Sequence, residues 1–397
     1  MAEIHGFSPE GQPSPGAEKA LSRYSTQVRR IPSRSSVSWG RVGTNPYSVV
    51  RVFDAIRPGV ITKTFGHGFE RQGVTGADLK PEAESLPDIL SRTGYGLAVN
   101  ADGWRIYGNI GEVRGPQIID GEIYHDFGDP GESPQGVEAF GIKEDGTYSS
   151  YSALEGDTAN SMVDDGVVTS FSYGPQCVRG GQVRDISDTL WSQFHTTKSA
   201  RQIIGFDDNG ALVIITVTGV SGSTGISGVE CGPLALQEGV QDAWIMDGGG
   251  SAQTAASYGY VMPSSDKGAE RPVPSAMLVN TLSPSGRVSS PWFPLSLTNS
   301  AVTATTTPRF RLSGGEIEFL GEIRMADGSP VPGTAVEVLK APFRPVNQGI
   351  AVTASAGVVT GKATYTTAGI VNIFGDGTTT PYVRLEGLGA PMGEYNV

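Results

Sequence analysis

The chemistry this sequence could do concentrates where an apolar run ends in an acid. Trp244-Ile245-Met246 leads straight into Asp247-Gly248-Gly249-Gly250-Ser251. A buried strand that delivers a carboxylate to its end can hold it for proton transfer, or as a hard oxygen ligand for a cation. Consecutive glycines let backbone N–H groups converge on an anion with no side chain in the way, the nest geometry that suits phosphate. The bland alternative is a sharp strand exit in which Asp247 caps its own loop. Spacing alone does not separate the two.

Other candidates sit at similar strand ends. Asn100 follows Gly96-Leu97-Ala98-Val99, and its amide can donate to a phosphate or a sugar hydroxyl, or cap a buried turn. Asp102 adds a second carboxylate nearby. Arg201 opens the run Gln202-Ile203-Ile204-Gly205; a guanidinium is a planar, permanently charged fork for two phosphate oxygens, and equally a surface salt-bridge partner. Arg114, beside Gly115, is a weaker phosphate candidate. His195 has the residue type for a proton shuttle, its unperturbed pKa lying near 6.5, or it is a packing histidine. Asp207 and Asp208, in Asp207-Asp208-Asn209-Gly210, read as turn residues. The histidines His5, His67, His125 and His195 are scattered, and Cys177 and Cys231 form neither a metal motif nor a disulfide framework. They read as buried thiols. A divalent cation could use Asp247, Asp102 and backbone carbonyls, but no metal spacing is visible, so the metal stays unknown.

The elements that must position these groups are mostly strands. With 55 glycines in 397 residues and only 18% charged residues, the composition favours strands and turns and excludes a helical bundle or coiled coil. Strand signals begin at Ser48-Val49-Val50-Arg51-Val52-Phe53 and recur at 96–99, 138–142, 166–169, 202–205, 212–215 and 243–246. Glu144-Asp145-Gly146 and 207–210 mark hairpins. Helices are predicted over 81–91 and 229–238, the second stopped by Gly239. Together these give an α+β region, a mixed sheet with few helices, over 46–288. Residues 1–45 read as a Ser/Pro/Gly-rich arm carrying Arg29, Arg30 and Arg34, and 289–397 as a C-terminal all-β knob or sandwich. The net charge of -12 argues against a nucleic-acid partner, and no apolar run is long enough to insert in a membrane. The start Met1-Ala2-Glu3-Ile4-His5 has no signal-peptide pattern.

Over 48–288 the sequence resembles the phosphodiester glycosidases, the family of the lysosomal uncovering enzyme's catalytic domain (N-acetylglucosamine-1-phosphodiester alpha-N-acetylglucosaminidase). Asp247-Gly248-Gly249-Gly250-Ser251 matches the family's signature strand end. Val99-Asn100-Ala101-Asp102-Gly103-Trp104 is similar to its Asn-Gly-Gly segment, 115–122 to the turn and hairpin that follow, Arg201-Gln202-Ile203-Ile204-Gly205 to its Arg-bearing strand, and 222–247 to its loop, helix and signature strand. The matches occur in the family's order. Ala101-Asp102 in place of a glycine pair, and Gln202 in place of threonine, are departures that bear on sugar specificity. The resemblance implies a hydrolase cleaving sugar phosphodiesters. Asp247, Asp102 and His195 would be catalytic; Asn100, Arg201, Gly248, Gly249, Gly250, Ser251 and Arg114 would bind substrate or phosphate.

The tail resembles the receptor-binding knob of bacteriophage tail and baseplate proteins. Thr307-Pro308-Arg309-Phe310-Arg311, the strand 315–323, Phe343-Arg344-Pro345 and Val383-Arg384-Leu385-Glu386-Gly387-Leu388 carry that likeness. It implies a homotrimer in the virion tail tip, contacting other tail or baseplate proteins and a phosphorylated host surface glycopolymer such as teichoic acid. A non-catalytic receptor-binding protein and a teichoic-acid phosphodiesterase are the alternatives.

Overall fold

Long apolar stretches in 45–52, 201–217 and 240–246 can be buried only if both faces of their sheet are covered, and the computed structural model covers them with a second sheet on one side and a helix on the other. It describes residues 32–43, 45–66, 81–107, 110–128, 135–187, 190–192, 196–218, 224–257, 259–264, 271–282, 292–294, 297–313, 316–340, 349–355, 358–366, 370–378, 382–385 and 388–391. His5, His67, His195, Arg29, Arg30 and the segment Phe343-Arg344-Pro345 lie outside the described residues.

The central sheet has seven strands in the order Ser35–Val42, Asn45–Val52, Leu212–Val217, Arg201–Asp207, Val240–Met246, Gln176–Arg179 and Gln182–Val183. One face contributes Val50, Ile204, Phe206, Ile214, Trp244 and Met246 to a core shared with the second sheet. The other packs Ile203, Val213, Ile215 and Ile245 against Cys231, Leu234 and Ala235 of the helix Gly228–Gln237. That helix starts at a reciprocal cap between Ser227 and Glu230 and lies within a residue of its predicted span. Cys177 and Cys231 are buried free thiols.

The expected mixed sheet is antiparallel throughout its ladders. The helix Gly228–Gln237 does connect two strands of the same direction, Leu212–Val217 and Val240–Met246. Arg201–Asp207 lies between them, antiparallel to both. The crossover therefore skips a strand and creates no parallel ladder. The edge strand Ser35–Val42 pairs along its length with Asn45–Val52, so these residues of the expected arm belong to the sheet.

The second sheet runs Gly259–Met262, Thr254–Ala256, Leu97–Val99, Ser275–Val279 and Ile61–Phe65. Its outer face carries the helix Leu86–Thr93, which begins five residues later than Pro81 because Glu84 bridges to Val273 and Ser85 supplies the cap. A third sheet, Tyr148–Ser152, Glu138–Lys143, Val167–Ser172, Gln117–Ile119 and Glu122–His125, closes the side where strand ends meet. The 207–210 and 144–146 hairpins fall where the turn residues place them, with the Asp207 carboxylate accepting from the N–H groups of Asn209 and Ala211.

Residues 293–391 form two further antiparallel sheets, of five and four strands, and among the described residues no ladder joins them to 35–279. Glu316–Met325 is one strand that passes through Gly321 at φ 141°. One apolar cluster contains Leu86, Ile89 and Tyr260 together with Val302, Phe310 and Phe319, so the core is continuous across the two regions. No helix among the described residues is long and apolar enough to cross a membrane.

Candidate active site

The pairing of Gln202 with Met246 brings Arg201 and Asp247 to the same end of adjacent strands. Beyond Met246 the chain folds tightly. Gly248 N–H donates to the Asp247 carboxylate at 2.9 Å, Gly249 N–H to the Ala200 carbonyl at 2.9 Å, and Ser251 N–H to the Gly248 carbonyl at 3.1 Å. A Cβ on Gly248 would lie 2.7 Å from the Ala200 carbonyl oxygen, and Gly249 has φ 58°. The glycine run is less open than the anion nest expected from the sequence: one of its three N–H groups is taken by Asp247 and one by the Ala200 carbonyl, just before the neighbouring strand. The glycines let the turn close against Arg201, whose Nη1 would be 3.4 Å from a Cβ on Gly248. Gly250 is held through its carbonyl by the Ser264 hydroxyl at 2.5 Å.

Asp247 is half-buried, and burial pushes its carboxyl above the usual carboxylate range. Hydrogen bonds from Ser251, Gly248 N–H and Tyr173, with the nearby charge of Arg271, oppose that rise. Tyr173 is brought here by backbone pairing: Gly174 N–H donates to the Ile245 carbonyl and Ile245 N–H to that of Pro175, both at 3.0 Å. Burial and the Asp247 charge push the Tyr173 hydroxyl up, with Arg201 and Arg114 acting against them. Gln135 Nε2 donates to the Tyr173 oxygen at 3.1 Å. The ring lies over Gly103, where a Cβ would come within 1.6 Å of it. Tyr173, Gln135 and Arg271 escaped the sequence reading. For Tyr173 a signal existed, since an aromatic hydroxyl precedes Gly174-Pro175 at a strand exit; none marks Arg271.

Arg201 is buried, and its Nε and Nη2 donate to the carbonyls of Ile226 and Thr197 at 3.1 and 2.7 Å. Those two bonds use the Nε N–H and one of the two Nη2 N–H groups, so a two-pronged phosphate grip would rest on Nη1, which lies toward Gly248, and the second Nη2 N–H. Arg114 ends the hairpin strand Ile110–Arg114, paired with Gly103. Asn100 is 1% exposed; its backbone N–H donates to the Gln253 carbonyl at 3.4 Å, while its Nδ2 has no partner among the described residues. An unsatisfied buried donor costs about 1–3 kcal/mol, a cost that a bound acceptor would remove.

Asp102 serves differently from the second carboxylate expected. It is fully buried, and its Oδ1 and Oδ2 lie 3.0 and 2.9 Å from Lys63 Nζ. Ser275 Oγ donates to Oδ2 at 2.6 Å and Ser172 N–H to Oδ1 at 3.2 Å. No oxygen faces solvent. A divalent cation bridging Asp102 and Asp247 does not fit this arrangement, because the lysine ammonium already neutralises Asp102. Among the described residues no three His, Cys, Asp or Glu side chains gather as metal ligands.

Residues 93–280 match the family model described as phosphodiester glycosidase. A prophage-derived uncharacterized protein of Bacillus subtilis, YomE, is 35% identical over 230 residues, covering 56% of this chain and 34% of its own length. The mouse N-acetylglucosamine-1-phosphodiester alpha-N-acetylglucosaminidase is 28% identical over 275 residues, 62% of this chain and 51% of its own. The chain thus spans between a third and about half of the length of these relatives. The solved zebrafish catalytic domain of that name, auto-inhibited by its pro-peptide, superposes with a TM-score of 0.49 at 16% identity, covering 64% of this chain and 86% of that one.

Proposed function

We propose that this protein hydrolyses sugar phosphodiesters at the sugar–oxygen bond, using Asp247 as the reacting carboxylate. The observation that carries this reading is one acid, raised by burial, held between a tyrosine donor and arginine charge. A phosphodiester anion would be drawn by Arg201 Nη1, Arg114 and Arg271, and Asn100 Nδ2 would donate to a phosphate or sugar oxygen. The C1–O bond breaks with its electron pair going to the phosphate oxygen, which leaves as a phosphomonoester and needs little protonation. Water adds to C1 and its proton passes to Asp247, whose negative charge also stabilises the oxocarbenium-like centre. Since Asp247 acts ionised, the rate should climb with pH along a limb set above the ordinary carboxylate range.

The prophage origin in the name of the Bacillus relative supports a phage setting. There the chain would be a homotrimeric tail-tip or baseplate protein, its C-terminal sheets binding the host surface and its site cutting a phosphorylated wall or capsular polymer. Incubation with host wall polymer, followed by mass spectrometry, should release sugar or sugar phosphate; no release from any phosphate-containing host glycan defeats the proposal. Light scattering should give a trimer. The withdrawal of Asp102 favours a second reading: two-carboxylate glycosidase chemistry would then lack its second acid, and the site would only grip a phosphorylated glycan. Binding of the polymer without release would support that reading.

A further inference from the structure

We propose that the Lys63–Asp102 ion pair is a positioning device that sets Tyr173 and Asn100 relative to Asp247, an inference that rests on the function proposed above. Lys63 occupies an inward position of Ile61–Phe65, between Ile61 and Phe65, where an apolar residue would ordinarily sit. Its ammonium reaches Asp102 and the Gln117 amide oxygen, the latter at 2.9 Å, and lies 4.9 Å from the centre of the Phe171 ring. Trp104 Nε1 donates at 2.8 Å to Ser275 Oγ, which in turn donates to Asp102.

The pair therefore ties together the second and third sheets at the point where both meet the site. Asp102 lies two residues beyond Asn100 and accepts from Ser172 N–H, one residue before Tyr173. Stability alone is a poor reason for such a pair, since well-packed apolar residues do as well at a buried position. What apolar residues cannot do is fix direction. Two carboxylate oxygens bonded to a lysine, a serine and a backbone N–H define the orientation of both chain segments, and Gly103 lets the Tyr173 ring settle against the same turn.

The test uses the full chain labelled with 3-fluorotyrosine, the Tyr173 fluorine resonance being identified by its loss in Tyr173→Phe. The variant Lys63→Met/Asp102→Leu removes both charges together. The Tyr173 resonance should shift or broaden while that of Tyr151, on the far strand of the third sheet, stays in place. On a sugar-1-phosphate methyl diester, kcat should fall about 10- to 100-fold with KM changed less than about 3-fold, the pattern of a misplaced reacting group rather than lost binding. If this variant does not fold, Ser275→Ala removes one bond to Asp102 and leaves the charges paired, and should move the same resonance less. A Tyr173 resonance unmoved in the folded variant overturns the proposal. If the parent protein turns over no diester, the proposed function fails while the fluorine reading still decides the positioning claim.

Discussion

Two acids leave apolar strands in this protein, and they meet opposite fates. Asp102 follows Leu97–Val99 and is sealed with its countercharge, Lys63, at 2.9 Å. Asp247 follows Val240–Met246 and stays half-buried, bonded to neutral donors and raised above the carboxylate range. The difference is set by what the neighbouring sheets contribute. A lysine on Ile61–Phe65 faces the first acid; a tyrosine, a serine and the Gly248 N–H face the second. An acid whose two oxygens are bonded to a lysine, a serine and a backbone N–H is fixed in place. An acid among neutral donors can change its protonation, which is what chemistry requires.

The largest effect that could break this contrast is on turnover. Asp247→Asn should lower kcat by about 10²–10⁴-fold, with the fold intact by circular dichroism. Asp102→Asn should instead act first on stability, by about 3–5 kcal/mol in denaturant titration, because it leaves the Lys63 ammonium buried without its counterion. Equal turnover in Asp247→Asn and the parent would make Asp247 a loop cap.

Next in size is Tyr173→Phe, for which kcat should fall about 10- to 100-fold, the worth of a hydrogen bond to a charged group. Loss of that donor disfavours the ionised carboxylate, so the rising limb of the pH–rate profile should move to higher pH. A limb unmoved in this variant would remove Tyr173 from the site. Smaller again, Asn100→Leu should weaken inorganic phosphate binding about 5- to 10-fold by calorimetry. Its stability should be no lower than the parent's, since an unpartnered buried donor is removed.

The smallest effect sharpens the comparison through stability. Because the folded-state pKa of Asp247 is raised, folding disfavours its ionised form. That cost is absent below the ordinary carboxylate range, grows as pH rises towards the folded-state pKa, and is constant above it. Asp247→Asn should therefore melt at a higher temperature than the parent at pH 7, with the gap closing near pH 3.

The sequence made Asp247, the hairpin at 207–210 and the strands around them legible because each is local: an apolar run, a turn signal, an acid at the exit. It also exposed Asn100 and Arg201, though not that Arg201 commits two nitrogens to the backbone carbonyls of Ile226 and Thr197. Lys63, Tyr173 and Arg271 were illegible because their meaning depends on strands distant in sequence. Lys63 pairs with Asp102 across 39 positions, and Tyr173 reaches Asp247 only through the pairing of Gly174 and Pro175 with Ile245. The sheet's direction is illegible in the sequence for the same reason: whether a helix crossover makes a parallel ladder depends on which strand lies between, here Arg201–Asp207. Ser35–Val42 was hidden by its serines, although Val37 and Trp39 pack against the core.

The most direct measurement is turnover of a sugar-1-phosphate diester in oxygen-18 water, with products read by mass spectrometry. Cleavage of the sugar–oxygen bond at Asp247 predicts label in the released sugar, none in the phosphomonoester, and labelled sugar formed by Asp247→Asn about 10²–10⁴-fold more slowly. Label in the phosphate, or labelled sugar formed at the parent rate by Asp247→Asn, would contradict it.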